Sequence, residues 1–96
     1  MIELVVPDAL DVSSRLDSAH YSLHREMVGR RVFTADVSLD EVLTLAEELS
    51  EDVRGEPVLV NDVVGQGEDT RRVDVYVHRG GRRLSVSEGV ERPRPE

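Results

Sequence analysis

Five arginines, Arg71, Arg72, Arg79, Arg82 and Arg83, fall within thirteen positions and surround Tyr76 and His78. Guanidinium forks hold phosphate or carboxylate through two hydrogen bonds at once, and a neighbouring aromatic ring can stack on a base. The chemistry on offer is recognition of an anion or of an acidic partner surface. A blander account also fits: these arginines answer acids elsewhere in the chain through surface pairs, each worth at most about 1 kcal/mol. With one tyrosine in the stretch and no run of aromatics, base readout is not expected.

A second constellation is made of carboxylates. If the first three strands run parallel, their C-terminal ends carry Asp8 and Asp11, then Asp36, then Asn61 and Asp62. Ligand sites in open α/β sheets lie outside those ends. Asp8, Asp36 and Asp62 could there hold Mg²⁺, which takes hard oxygen ligands and could support phosphoryl transfer or hydrolysis. Aspartate is equally an ordinary capping and turn residue. A third set is Asp17, His20 and His24, which a helix would bring within about 60° of one another. Histidines four apart can share a metal, but the segment HYSLH has no glutamate to act as base, so structural histidines are the simpler expectation.

Other chemistries fall away on residue type. Without cysteine there is no disulfide, thiol nucleophile or thiolate-bound metal. All twelve basic residues are arginine, which removes Schiff-base lysines and the P-loop lysine. Gly65-Gln66-Gly67 lacks the third glycine of a dinucleotide loop. No Gly-x-Ser-x-Gly occurs, and Ser13, Ser14 and Ser38 read as caps. No cofactor is expected.

The chain has 96 residues and a net charge of −8, which opposes broad binding to nucleic acid or anionic membrane. Residues 1–53 hold twelve acids against four arginines, whereas residues 54–96 hold eight of each. The missing lysine fits a GC-rich coding sequence, and the acidity also fits a halophilic host. No apolar run nears the roughly 20 residues that span a bilayer, and MIELVVPDAL lacks the pattern of a secretory signal. A cytoplasmic protein is expected.

The elements that must carry these residues follow from periodicity. Ile2–Val6 reads as a strand closed by Pro7. Val12, Leu16, Ala19, Leu23 and Met27 share one face of a helix within 8–29, with Gly29 at its end, although His20–Met27 also fits a strand that turns back through Gly29-Arg30. Arg31–Val37 alternates as a strand. Ser38-Leu39-Asp40-Glu41 is a capping box, and Leu39, Val42, Leu43, Ala46, Leu49 and Val53 form the apolar stripe of a helix ended by Gly55. Pro57–Val64 reads as an interior strand, followed by a polar turn over 65–70. Arg72–His78 and Arg82–Ser87 form a hairpin about Gly80-Gly81. Pairing Val77 with Leu84 and Val75 with Val86 would turn these four inward and leave Arg72, Asp74, Tyr76, His78 and Arg83 outside.

The expected fold is therefore an α/β (α+β) two-layer sandwich of order β-α-β-α-β-β-β. Two helices lie on one face of a mixed sheet that ends in a β-hairpin, in a single domain over 1–90 with a disordered tail at 91–96. The leading functional expectation is a small acidic binding or regulatory protein without catalysis. It would act through the uncovered face of its C-terminal sheet, with Arg72, Tyr76, His78 and Arg83 as contacts and a protein partner or a second copy as occupant. The alternatives are a Mg-dependent enzyme or metal-regulated domain using Asp8, Asp36 and Asp62, and an acidic inhibitor or immunity-type protein that meets a basic partner through residues 39–53.

Overall fold

The structure, a computed structural model, describes residues 1–53, 55–65 and 71–91, with the backbone alone for 64, 65, 71, 72 and 85–91. The elements run β1 (Ile2–Pro7), β2 (Tyr21–Met27), β3 (Arg30–Ala35), α1 (Leu39–Ser50), β4 (Val58–Gly65), β5 (Arg71–Arg79) and β6 (Arg82–Glu91). All six strands form one sheet of order β2-β3-β1-β4-β5-β6, and every neighbouring pair is antiparallel. Among the described residues one helix replaces the two expected, and the sheet expected to be mixed is wholly antiparallel.

The expected first helix fails for a physical reason. Of its helical stripe, Val12 is buried and Leu16 packs on the core, while Leu23 and Met27 stand half exposed. Residues 21–27 instead pair with β3 across a two-residue turn at Val28-Gly29, where Gly29 takes φ +79°. Only glycine adopts that angle without strain. A strand ladder to a neighbour satisfies these backbone groups, and helical spacing alone could not outweigh it. The preceding residues form a series of turns. Asp11 Oδ1 accepts from the Ser13 backbone N–H at 3.0 Å and from its hydroxyl at 2.8 Å. These bonds hold the Asp11 carboxyl below the usual range.

The second helix stands where the sequence put it. Ser38 has extended backbone, and its Oγ accepts from the Glu41 N–H at 3.3 Å, one of the donors that a helix start leaves free. Val42, Leu43, Ala46 and Leu49 are buried against Leu4, Val6, Val58 and Val60, and Leu10 and Val12 complete this core from the turn segment. Arg15 ties that segment to the helix, reaching Asp52 at 3.2 Å and Glu48 at 3.6 Å. Helix and turn segment therefore cover one face of the sheet together. Among the described residues, no helix is long and apolar enough to cross a membrane.

The C-terminal hairpin turns through Gly80 (φ +59°) and Gly81 (φ +83°), as the Gly-Gly pair required. The turn is anchored to the end of α1. Gly80 N–H donates to Ser50 O at 3.2 Å, and Gly81 N–H donates to Ser50 Oγ at 2.8 Å. Ser50 is fully buried, and its hydroxyl donates in turn to Glu47 O at 2.8 Å. Beyond the turn a bulge skips Leu84, so that Val77 pairs with Ser85 and Tyr76 with Val86. That corrects the expected register of Val77 with Leu84 and Val75 with Val86. Of the turn expected at 65–70 and the tail expected at 91–96, Gly65 ends β4 and Glu91 ends β6, and the remaining residues lie outside the described ones.

Candidate binding face

Antiparallel partners point to the same side of a sheet, so the pairings decide which residues look away from α1. Leu4 pairs with Phe33 and Val60, and Val60 pairs with Tyr76, all on the helix side. The intervening residues form the uncovered face. One row is Arg25, Val32, Val5, Leu59 and Val77; the next is Ser22, Thr34, Glu3, Asn61 and Val75.

This order overturns the expected orientation of β5. Tyr76 packs against the core and His78 is fully buried beneath α1, so neither lies on the uncovered face. Val73, Val75 and Val77 take that face instead, half-buried. The error has a simple origin. Apolar residues on β5 were assigned to the helix side, but Val58 and Val60 of β4 already fill that side and pair with His78 and Tyr76. Arg83 pairs with His78, and its guanidinium stands 5.9 Å from the centre of the Tyr76 ring. The structure thus brings Tyr76, His78 and Arg83 together on the helix side. The backbone of Arg72 pairs with Val64 and Val90, and its side chain lies outside the described ones.

His78 is a buried group of its own. Nδ1 lies 3.3 Å from Val58 O, and Nε2 is buried with no hydrogen-bond partner. Burial is the main influence and lowers its pKa from the usual histidine value. The Val58 carbonyl and Glu47 act against that shift, while Arg83 reinforces it. Nδ1–H donating to the Val58 carbonyl is the neutral tautomer that this environment favours.

The carboxylates expected to share Mg²⁺ are not brought together. Because β3 and β4 both run antiparallel to β1, Asp36 follows the strand end beside Ile2, and Asp62 pairs with Ile2. Asp8 follows the opposite end of β1, where Arg31 Nε lies 3.7 Å from its carboxylate. The length of a strand separates the two groups. Asp17 and His20 sit in the turn before β2, 4.0 Å apart, while His24 occupies the bulge of β2. Among the described residues there is no group of three or more histidines and carboxylates placed to hold a metal ion.

The uncovered face carries a feature that the sequence reading passed over. Glu3 is only 6% exposed although no helix covers it. Its Oε1 accepts from Asn61 Nδ2 at 3.3 Å, and no cation of the described residues lies within 4 Å of its carboxylate. The buried Glu3 lies at the floor of a recess of about 210 Å³ that Asn61, Val63 and Val73 also line, with the exposed His24 and Arg25 at its rim. Met1 closes its end, and its ammonium donates to Val63 O at 2.7 Å. The signal was present in the sequence as two polar residues inside apolar strands, Glu3 in IELVV and Asn61 in PVLVNDVV. Only the β1–β4 register makes them neighbours. Compared with family models, curated proteins and solved structures, the chain matches none.

Proposed function

We propose that this chain is a small non-catalytic binding protein that works through the uncovered face of its sheet and pairs there with a second copy of itself. The observation that carries the reading is the half-buried apolar set Leu59, Val75 and Val77, continuous with the buried Val5 and Val32, on a face that neither α1 nor the turn segment covers. Charge supports the same choice. The exposed acids Asp40, Glu41, Glu48 and Asp52 belong to the helix side. Among the residues whose side chains are described, Glu3 is the one acid on the uncovered face, and it is buried. Face-to-face packing holds two sheets about 10 Å apart and keeps the helices on the outside. Two chains of net charge −8 then meet where each carries least of it.

The available area places the pairing at the small, weak end of specific interfaces. Six strands about 4.8 Å apart and about 20 Å long present a flat area near 580 Å², to which side-chain relief adds. A standard interface takes about 800 Å² of accessible surface from each partner. Neither of the expected contacts Tyr76 and His78 takes part, because both face α1. The test is a dilution series of amide spectra. Concentration-dependent shifts gathered at Val5, Leu59, Val75 and Val77 are expected. Shifts gathered instead on residues 39–53, or none up to about 1 mM protein, a Kd at the weak end of specific association, refute the pairing.

A further inference from the structure

We infer that the recess over Glu3 and Asn61 is a binding site for a compact amino-carboxylate, a molecule that carries an ammonium and a carboxylate on a small aliphatic frame. The inference rests on reading the uncovered face as the working surface, but its residues are separate from the pairing patch, since Val5, Leu59, Val75 and Val77 do not line the recess.

The argument starts from the floor. A buried carboxylate is costly unless paired and hydrogen-bonded. Among the described residues Glu3 has one neutral donor, Asn61 Nδ2, and no cation within 4 Å. Glu3 lines the recess, and an ammonium group there supplies three donors to such an acceptor. Asn61 keeps its own carbonyl oxygen as a further acceptor when its Nδ2 donates to Glu3. The rim has the opposite character. Arg25 presents a guanidinium fork, suited to a carboxylate, and His24 adds a ring N–H.

A purely cationic ligand would meet Arg25 on its way in, and a purely anionic one would meet Glu3 at the bottom. A zwitterion satisfies both. Val63 and Val73 form the wall left for an aliphatic side chain. The volume of about 210 Å³ falls below the roughly 300 Å³ at which pockets for drug-sized ligands begin, which restricts the site to small molecules. The bulge of β2 serves this arrangement. It leaves His24 without a strand partner and places Arg25 opposite Val32, two strands away from Glu3. Bulges re-aim side chains in this way next to binding sites.

The experiment is an amide NMR titration with L-valine, using isovalerate and isobutylamine as probes that each lack one charged group. It is run on the wild type and on Val77→Asp, so that loss of pairing and loss of the recess are read separately. Saturable shifts at Glu3, His24, Arg25, Asn61 and Val63 are expected with L-valine in Val77→Asp, and in the wild type at concentrations where it is unpaired, since pairing covers the same face. Each single-charge probe should bind at least about tenfold more weakly. Glu3→Gln, which keeps the shape, and Arg25→Gln, on the exposed edge strand, should each weaken L-valine by at least about tenfold while the rest of the spectrum stays in place. No saturation by about 20 mM L-valine, twenty times a Kd of about 1 mM, overturns the site. Isobutylamine or isovalerate binding as well as L-valine, or undiminished binding by both variants, overturns it equally.

Discussion

Replacing His78 with leucine tests the buried imidazole quantitatively. The wild-type ring is fully buried, donates from Nδ1 to Val58 O and leaves Nε2 unpartnered. Its pKa is lowered in the folded state chiefly by that burial, against the raising influence of Val58 and Glu47 and with the help of Arg83. The neutral ring therefore belongs to the fold, and the unfolded chain takes up a proton that the folded chain refuses. Stability from this group is complete above about pH 6.5, the unfolded value, and is lost as pH falls from there towards the lowered folded value. One proton sets the limit of that loss at about 1.4 kcal/mol per pH unit.

Leucine removes the titration. It also removes one hydrogen bond worth about 0.5–1.5 kcal/mol and relieves an unsatisfied buried nitrogen worth about 1–3 kcal/mol. At pH 8 the variant should accordingly match or slightly exceed the wild type. By pH 5.5 it should be further ahead, by no more than the roughly 1.4 kcal/mol that one proton allows over one pH unit, each kcal/mol being about 4–8 °C in Tm for a chain of this size. Thermal unfolding of both proteins between pH 5 and pH 8 supplies the comparison. Contributions common to both proteins cancel in the difference. A difference between the two that stays constant across this range would refute the assignment of a neutral, proton-refusing His78.

Two further predictions concern the contact between hairpin and helix. A Cβ on Gly81 would lie 2.7 Å from Glu51 Cγ, whereas one on Gly80 meets nothing within 4 Å. Both substitutions by alanine incur the left-handed backbone penalty of about 1–2 kcal/mol, so Gly81→Ala should lower denaturant stability by more than Gly80→Ala does; equal losses would deny the close approach to Glu51. Ser50→Ala leaves the Gly81 N–H without its side-chain acceptor and should lose about 1–3 kcal/mol in urea unfolding. A loss below about 0.5 kcal/mol, the low end for one hydrogen bond, would show that the turn is held by other contacts.

The legible parts of this fold were those in which local pattern and long-range pairing agree. Ser38 followed by Glu41, with apolar residues at 39, 42, 43, 46 and 49, specifies α1 from within its own length. Gly80-Gly81 specifies its turn in the same way, through two positive φ angles. Residues 20–27 fit two periodicities, and pairing with β3 decided between them, a choice made outside the segment. The orientation of β5 was equally non-local. Tyr76 and His78 look like surface residues and Val75 and Val77 like core, yet pairing with Val60 and Val58 reverses both. The same reversal put the apolar patch on the uncovered face and moved two expected contact residues under the helix. Glu3 and Asn61 were visible as polar residues in apolar runs, but their meeting depends on a strand pair 58 residues apart in sequence.

Sedimentation equilibrium of the wild type beside Val77→Asp, from about 1 μM to about 1 mM protein at low and at high salt, addresses the pairing itself; these limits correspond to about −8 and about −4 kcal/mol of association. The account predicts a mass rising from 10.7 kDa towards twice that value. Association should tighten as salt screens the repulsion between two chains of charge −8. It should weaken at least about tenfold in Val77→Asp, with the circular dichroism of the half-buried position's variant unchanged. A mass of 10.7 kDa at every concentration, or association that Val77→Asp leaves intact, would contradict it.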